Sequence, residues 1–108
     1  MKLIWTAFAA GQLEKIYRFL INKNQTAAVA VYNDILDETE SLLHFAQMAP
    51  IEPLLSEFPE LYRSLVIRKT YKVVYYIEDD LIFVVAVFDC RQNKGKLKKD
   101  IQKRGKTK

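Results

Sequence analysis

Apolar and polar positions recur on two different periods in this chain, and the change from one to the other divides it. After a short apolar run, "KLIW" at residues 2–5, the residues Leu13, Ile16, Tyr17, Leu20 and Ile21 recur at intervals of three and four. That spacing places them on one stripe of a helix from Ala7 to about Asn22, with Thr6 as N-cap and Glu14, Lys15 and Arg18 outside the stripe. Ala28, Val31, Ile35, Leu42 and Ala46 repeat the period and predict a second helix from about Thr26 to Gln47, whose outer face carries Asp34, Asp37, Glu38 and Glu40. The intervening "NKNQT" is short enough to force the two helices antiparallel.

Pro50, Pro53 and Pro59 then punctuate "MAPIEPLLSEFPE", which predicts loop, because each proline removes a donor and restricts its predecessor. Beyond Pro59 the composition turns β-branched and aromatic: "LYRSLVIR", "YKVVYYIE" and "LIFVVAVF" read as three strands in a meander, with short breaks at "KT" and "DD". The last is apolar at every position, which predicts an interior strand covered on both faces, with Leu3 to Trp5 returning beside it. The order is β-α-α-β-β-β, an α+β fold.

That last strand stops abruptly in Asp89, Cys90, Arg91, Gln92 and Asn93. Strict alternation puts Asp89 and Arg91 on the face of Val85 and Val87, with Cys90 on the other. Arg91 would then project from the rigid end of a central strand, placed either to grip phosphate or carboxylate with its planar fork or to pair locally with Asp89 or a helix carboxylate.

Charge sharpens the picture. The 108 residues carry a net +4. Residues 1–90 hold eight Lys/Arg against twelve Asp/Glu, giving −4, and residues 91–108 hold nine against one, giving +8. The length predicts one domain, residues 1–93, and a basic tail, residues 94–108, whose apolar content beyond Leu97 and Ile101 is too low to offset its ordering entropy, so it is expected to fray. Such a tail either seeks anions, nucleic acid or an acidic protein, or serves only solubility.

Several function classes fall away. No apolar run approaches the ~18 residues of a membrane span, and the opening "MKLIWTAFAAGQLEK" meets Glu14 too early for a signal peptide. The single cysteine, Cys90, fits a reducing compartment, so the expected location is the cytoplasm, and it reads as a small packed hydrophobe. With His44 the only histidine, read as helical, no closed metal site can be assembled and no metal or cofactor is expected. Ser56 and Ser64 lack a candidate base, and Glu78, Asp79 and Asp80 read as a solvated hairpin tip. Ordinary hydrolysis of a small-molecule substrate is not expected.

The order of elements, the opening "KLIWT", the helix "LEKIYRFL", the "Y-K-V-V-Y" strand at Tyr71 to Tyr75 and the ending Val87, Phe88, Asp89, Cys90, Arg91 together resemble the RelE/ParE superfamily of bacterial type II toxin–antitoxin toxins, over roughly Lys2 to Asn93. The resemblance implies a small curved antiparallel sheet with two long antiparallel helices on one face, and a growth-arresting toxin held inactive by a cognate antitoxin. It also implies one of two targets, messenger RNA in the ribosome for the RelE branch or DNA gyrase for the ParE branch. By this resemblance Arg91, Lys72, Arg63 and Gln92 are the target-binding candidates. A metal-free RNA cut through the ribose 2′-hydroxyl would need Arg91 and Lys72 for charge and a further proton-transfer group. RelE-like nucleases place a tyrosine or histidine just beyond the arginine, whereas "QNKGKLKKDIQKRGKTK" holds neither, and a solvated lysine with pKa near ~10.4 is a poor base. The ending resembles the ParE branch more closely. A ribosome-dependent endoribonuclease is the alternative, and a toxin-like partner in a repressor complex is the third.

Overall fold

The structure is a computed structural model that describes residues 1–91 and 94–106, residues 94 and 103–106 by backbone alone. Its elements run β1 (Lys2–Trp5), α1 (Ala7–Ile21), α2 (Gln25–Glu40), β2 (Arg63–Ile67), β3 (Tyr71–Glu78), β4 (Leu81–Asp89) and α3 (Lys94–Lys106). Both long helices start on side-chain caps: Thr6 Oγ1 accepts from Ala9 N–H and Asn24 Oδ1 from Ala27 N–H. The second helix ends earlier than the apolar period suggested. A 3-10 turn at Ser41–Leu43 follows it, and His44 lies at the end of that turn rather than inside a helix.

One four-stranded sheet has the order β1-β4-β3-β2. The meander β2-β3-β4 is antiparallel, but β1 pairs with β4 in parallel, Lys2 opposite Leu81 and Trp5 opposite Val84. The sheet is therefore mixed where an all-antiparallel one was expected. The reason is topological: β1 leaves through the helical hairpin, and that long crossover returns the chain to the far end of the sheet.

The two faces hold separate cores. Ala9, Leu13, Val31 and Ile35 of the helical hairpin pack on Ile67, Tyr71, Val73, Val84 and Val87. On the opposite face Leu55 of the proline-punctuated segment and Tyr62 just after it, together with Leu97 and Ile101 of α3, cover Val74, Tyr76, Val85, Ala86 and Phe88. This second cover explains why "LIFVVAVF" has no polar side. It also shows what the composition of the basic segment concealed. Leu97 and Ile101 stand four apart, one helical turn, and both are buried, so residues 94–106 of the segment expected to fray form α3, which docks on the sheet.

The register carries one irregularity. Val74 pairs with Ala86 but Tyr75 with Val84, so Val85 is a surplus residue, a β-bulge in the central strand. Val85 and Ala86 both face the second core, while Val84 and Val87 both face the helical hairpin. The bulge corrects the alternation reading: Asp89 continues the face of Val87, and Val85 lies on the opposite one.

Candidate functional site

The end of β4 opens into a groove of about 780 Å³ between α1, the ends of β3 and β4, and α3. Its construction begins with a backbone group. Pairing with β1 stops at Val84, whose carbonyl accepts from both Thr6 N–H and Thr6 Oγ1, so the next outward N–H of β4, that of Val87, has no strand beside it. Gln12 of α1 supplies the missing partner. Its Oε1 accepts from Val87 N–H at 2.8 Å, and its Nε2 donates to Asp100 Oδ2 of α3 at 3.3 Å. One amide thus ties three elements together and fixes the groove's walls.

Along α1 the groove presents Phe8, Ile16 and Phe19, with Lys15 and Lys23 among them. Phe8 and Phe19 are 40% and 58% exposed, which is unusual for phenylalanine on a helix that already buries one stripe. The Lys23 ammonium sits 5.0 Å from the centre of the Phe19 ring, holding that ring in a cation–π contact. Tyr71, Asp89 and Arg91 form the sheet wall, and Lys96 and Asp100 the α3 wall. Apolar rings and cations converge, and the two carboxylates are both engaged.

Arg91 is paired with Asp89: Nε donates to Oδ1 at 3.0 Å, Nη2 to Oδ2 at 2.8 Å, and the Arg91 N–H to Oδ1 at 2.8 Å. The local pairing is the arrangement adopted, yet the arginine side chain stays 67% exposed. Asp89 uses only the Nε–Nη2 edge of the guanidinium, leaving the Nη1–Nη2 edge for a carboxylate or phosphate. The carboxylate orients the fork without covering it. The Arg91 hydrogen bonds hold the Asp89 carboxyl below its usual range despite partial burial, and Asp89 in turn pushes the guanidinium's pKa further up.

The other candidates lie elsewhere. Lys72 is on the second face, where its Nζ donates to Glu52 Oε1 at 2.8 Å, and Glu52, 1% exposed, also accepts from Ser64 Oγ at 2.8 Å and from Leu54 N–H at 3.0 Å. Burial works to raise the Glu52 pKa, but the hydrogen bonds from Lys72, Leu54 and Ser64 outweigh it and leave the carboxyl below its ordinary value. This cluster fastens the proline-punctuated segment onto the sheet. Arg63 is likewise engaged, donating from Nη1 to Ala49 O at 2.8 Å and Gln47 O at 3.3 Å, where it satisfies loop carbonyls. Gln92 lies outside the described residues. Of the described candidates, Arg91 alone lines the groove.

The remaining groups offer little proton chemistry. Burial raises the Tyr71 pKa, with the Asp89 charge adding to the effect. Cys90 is also pushed up by burial, which keeps it a thiol as expected for a packed side chain. Gln12, Phe8 and Phe19 were missed by sequence reasoning. The one available signal was that Phe8 and Phe19 fall outside the apolar stripe of α1.

Residues 3–94 match the family described as ParE toxin of type II toxin-antitoxin system, parDE. Comparison with curated proteins gives no match. Among solved structures, a chain from a chromosomal ParDE TA system from P. aeruginosa superposes with a TM-score of 0.70 at 23% identity, over 82% of this chain and 95% of that one. No helix among the described residues is long and apolar enough to cross a membrane. The family match spans most of the chain and covers α1, β3 and β4, the walls of the groove other than α3: this protein belongs to the ParE toxin family of type II toxin–antitoxin systems.

Proposed function

We propose that the protein arrests growth by binding and inhibiting DNA gyrase, with Arg91 and the groove beside it as the target-binding surface, and that a cognate antitoxin neutralises it by covering the exposed rings of Phe8 and Phe19. The observation that carries this reading is the division of the cations between the two faces of the sheet. Arg91, oriented by Asp89, keeps its Nη1–Nη2 edge open beside exposed apolar rings, while Lys72, which RNA cleavage would require beside it, is fastened to Glu52 on the opposite face. Docking needs a shaped surface with an oriented cation and apolar anchors, and the groove provides both. Cleavage needs a poised acid or base near the cations, and the groove's carboxylates are spent on Arg91 and Gln12.

Titrated expression without antitoxin tests the proposal, read for plasmid supercoiling and for transcript breaks in the same cultures. Relaxed plasmid with intact transcripts, relieved by Arg91→Ala, is the expected result. Intact gyrase supercoiling at saturating purified toxin refutes it, and codon-phased breaks on translated messages would transfer the assignment to ribosome-dependent cleavage.

A further inference from the structure

The family match ends at residue 94, where α3 begins. That end of the chain is also where the charge resides. Residues 91–108 carry nine Lys/Arg and one Asp against a body of net −4. The helix is docked as well as basic: Leu97 and Ile101 are buried in the second core, Asp100 accepts from Gln12, and Lys98 pairs with Glu57. Lys96, Lys99 and Gln102 are exposed, Lys96 at the rim of the groove.

We propose that α3 binds the phosphate backbone of double-stranded nucleic acid without regard to base sequence. Three features favour this partner over others. The thirteen residues of α3 extend about 20 Å at the helical rise, enough to follow several phosphates along one strand. The helix contains no aromatic residue on which an unpaired base could stack, which disfavours a single strand. Its only two large apolar residues point into the core, so the outer side has no anchor for an acidic peptide. What remains among the described side chains is Lys96 and Lys99, exposed on a docked helix, the chemistry that displaces counterions from a duplex. The proposal does not depend on the identity of the toxin's target.

The test is fluorescence anisotropy of a labelled duplex of about 20 base pairs and arbitrary sequence, titrated with the full chain between about 50 and 200 mM salt. Binding is expected with a log–log salt slope of about −2.7 or steeper, three phosphate contacts or more. The variant Lys96→Gln/Lys99→Gln should flatten the slope by about 1.8, two contacts, and shrink the affinity lost across that salt range about tenfold. The variant Lys2→Gln/Lys69→Gln, which removes the same charge from exposed positions elsewhere, should leave the slope unchanged. Hydrogen exchange on the unaltered chain gives a second readout, with duplex slowing exchange in α3. Absence of binding at the lower salt overturns the proposal, as do equal slopes in the two variants or duplex protection confined to α1 and the sheet. Tighter binding to polyglutamate than to duplex overturns it in favour of an acidic protein partner.

Discussion

Replacing Lys72 with methionine separates a structural role for this lysine from a functional one. The Glu52 side chain is 0% exposed, and among the described residues Lys72, its side chain 26% exposed, is the one cation paired with it. Breaking a buried pair from one side typically costs 3–5 kcal/mol, and the partly open amine places this case near the lower end, about 3 kcal/mol. Against a total stability of about 5–15 kcal/mol for a domain of this size the loss is large. Its pH dependence carries the signature. In the wild type the Glu52 pKa is depressed, so its contribution is full above the unfolded value near 4.5 and is lost as pH falls through the lower folded value. Without Lys72, burial acts with less opposition and the folded pKa rises, so protonation relieves the penalty and the gap to wild type narrows as pH falls toward 4.5. Urea denaturation followed by circular dichroism at neutral and mildly acidic pH measures both effects. Adding Glu52→Gln to the methionine variant should recover part of the loss. A Lys72→Met protein as stable as wild type but no longer toxic would refute the argument and return Lys72 to the target-binding surface.

Three further outcomes follow from single contacts. Gln12→Ala leaves the Val87 N–H, in a residue only 3% exposed, without its acceptor and should cost about 1–3 kcal/mol in chemical denaturation while speeding hydrogen exchange in α3, which loses its tie through Asp100. Asp89→Asn removes a carboxyl whose depressed pKa contributes stability above its ordinary value of 3.8 and loses it as pH falls through the folded value; the stability difference from wild type should be flat above about pH 4 and shrink below it in acid titrations. Arg68 and Lys69 hold φ of 54° and 59° at the centre of the turn between β2 and β3 that Thr70 N–H closes on Ile67 O, a conformation that suits Asn-Gly, so Lys69→Gly should stabilise the fold by about 1 kcal/mol in urea denaturation.

The elements were legible because their signals are local. The stripe Leu13, Ile16, Tyr17, Leu20 fixes α1 by spacing alone, and the doubly apolar β4 announces an interior strand with Leu3 to Trp5 beside it. What escaped depends on distant partners. Glu52 sits among prolines and resembles a loop carboxylate until Ser64 and Lys72, twelve and twenty residues away, close around it. Arg63 looked available because the carbonyls it serves, those of Gln47 and Ala49, belong to a loop with no pattern. The docking of α3 was present in the spacing of Leu97 and Ile101, but a composition argument averages over the spacing that matters. The position of Arg91 at the end of β4 was legible because its signal, polar residues at the mouth of an apolar strand, is local too.

The surplus residue at Val85 makes the middle of β4 tolerant of a loss and intolerant of a gain. Deleting Val85 would let Val84 and Ala86 alternate regularly with every later residue still opposite its present neighbour, whereas one more residue between Ala86 and Asp89 would exchange the two covered faces at the end of the strand. Relatives with longer chains should therefore carry their extra residues at the hairpin tips, where nothing downstream changes sides.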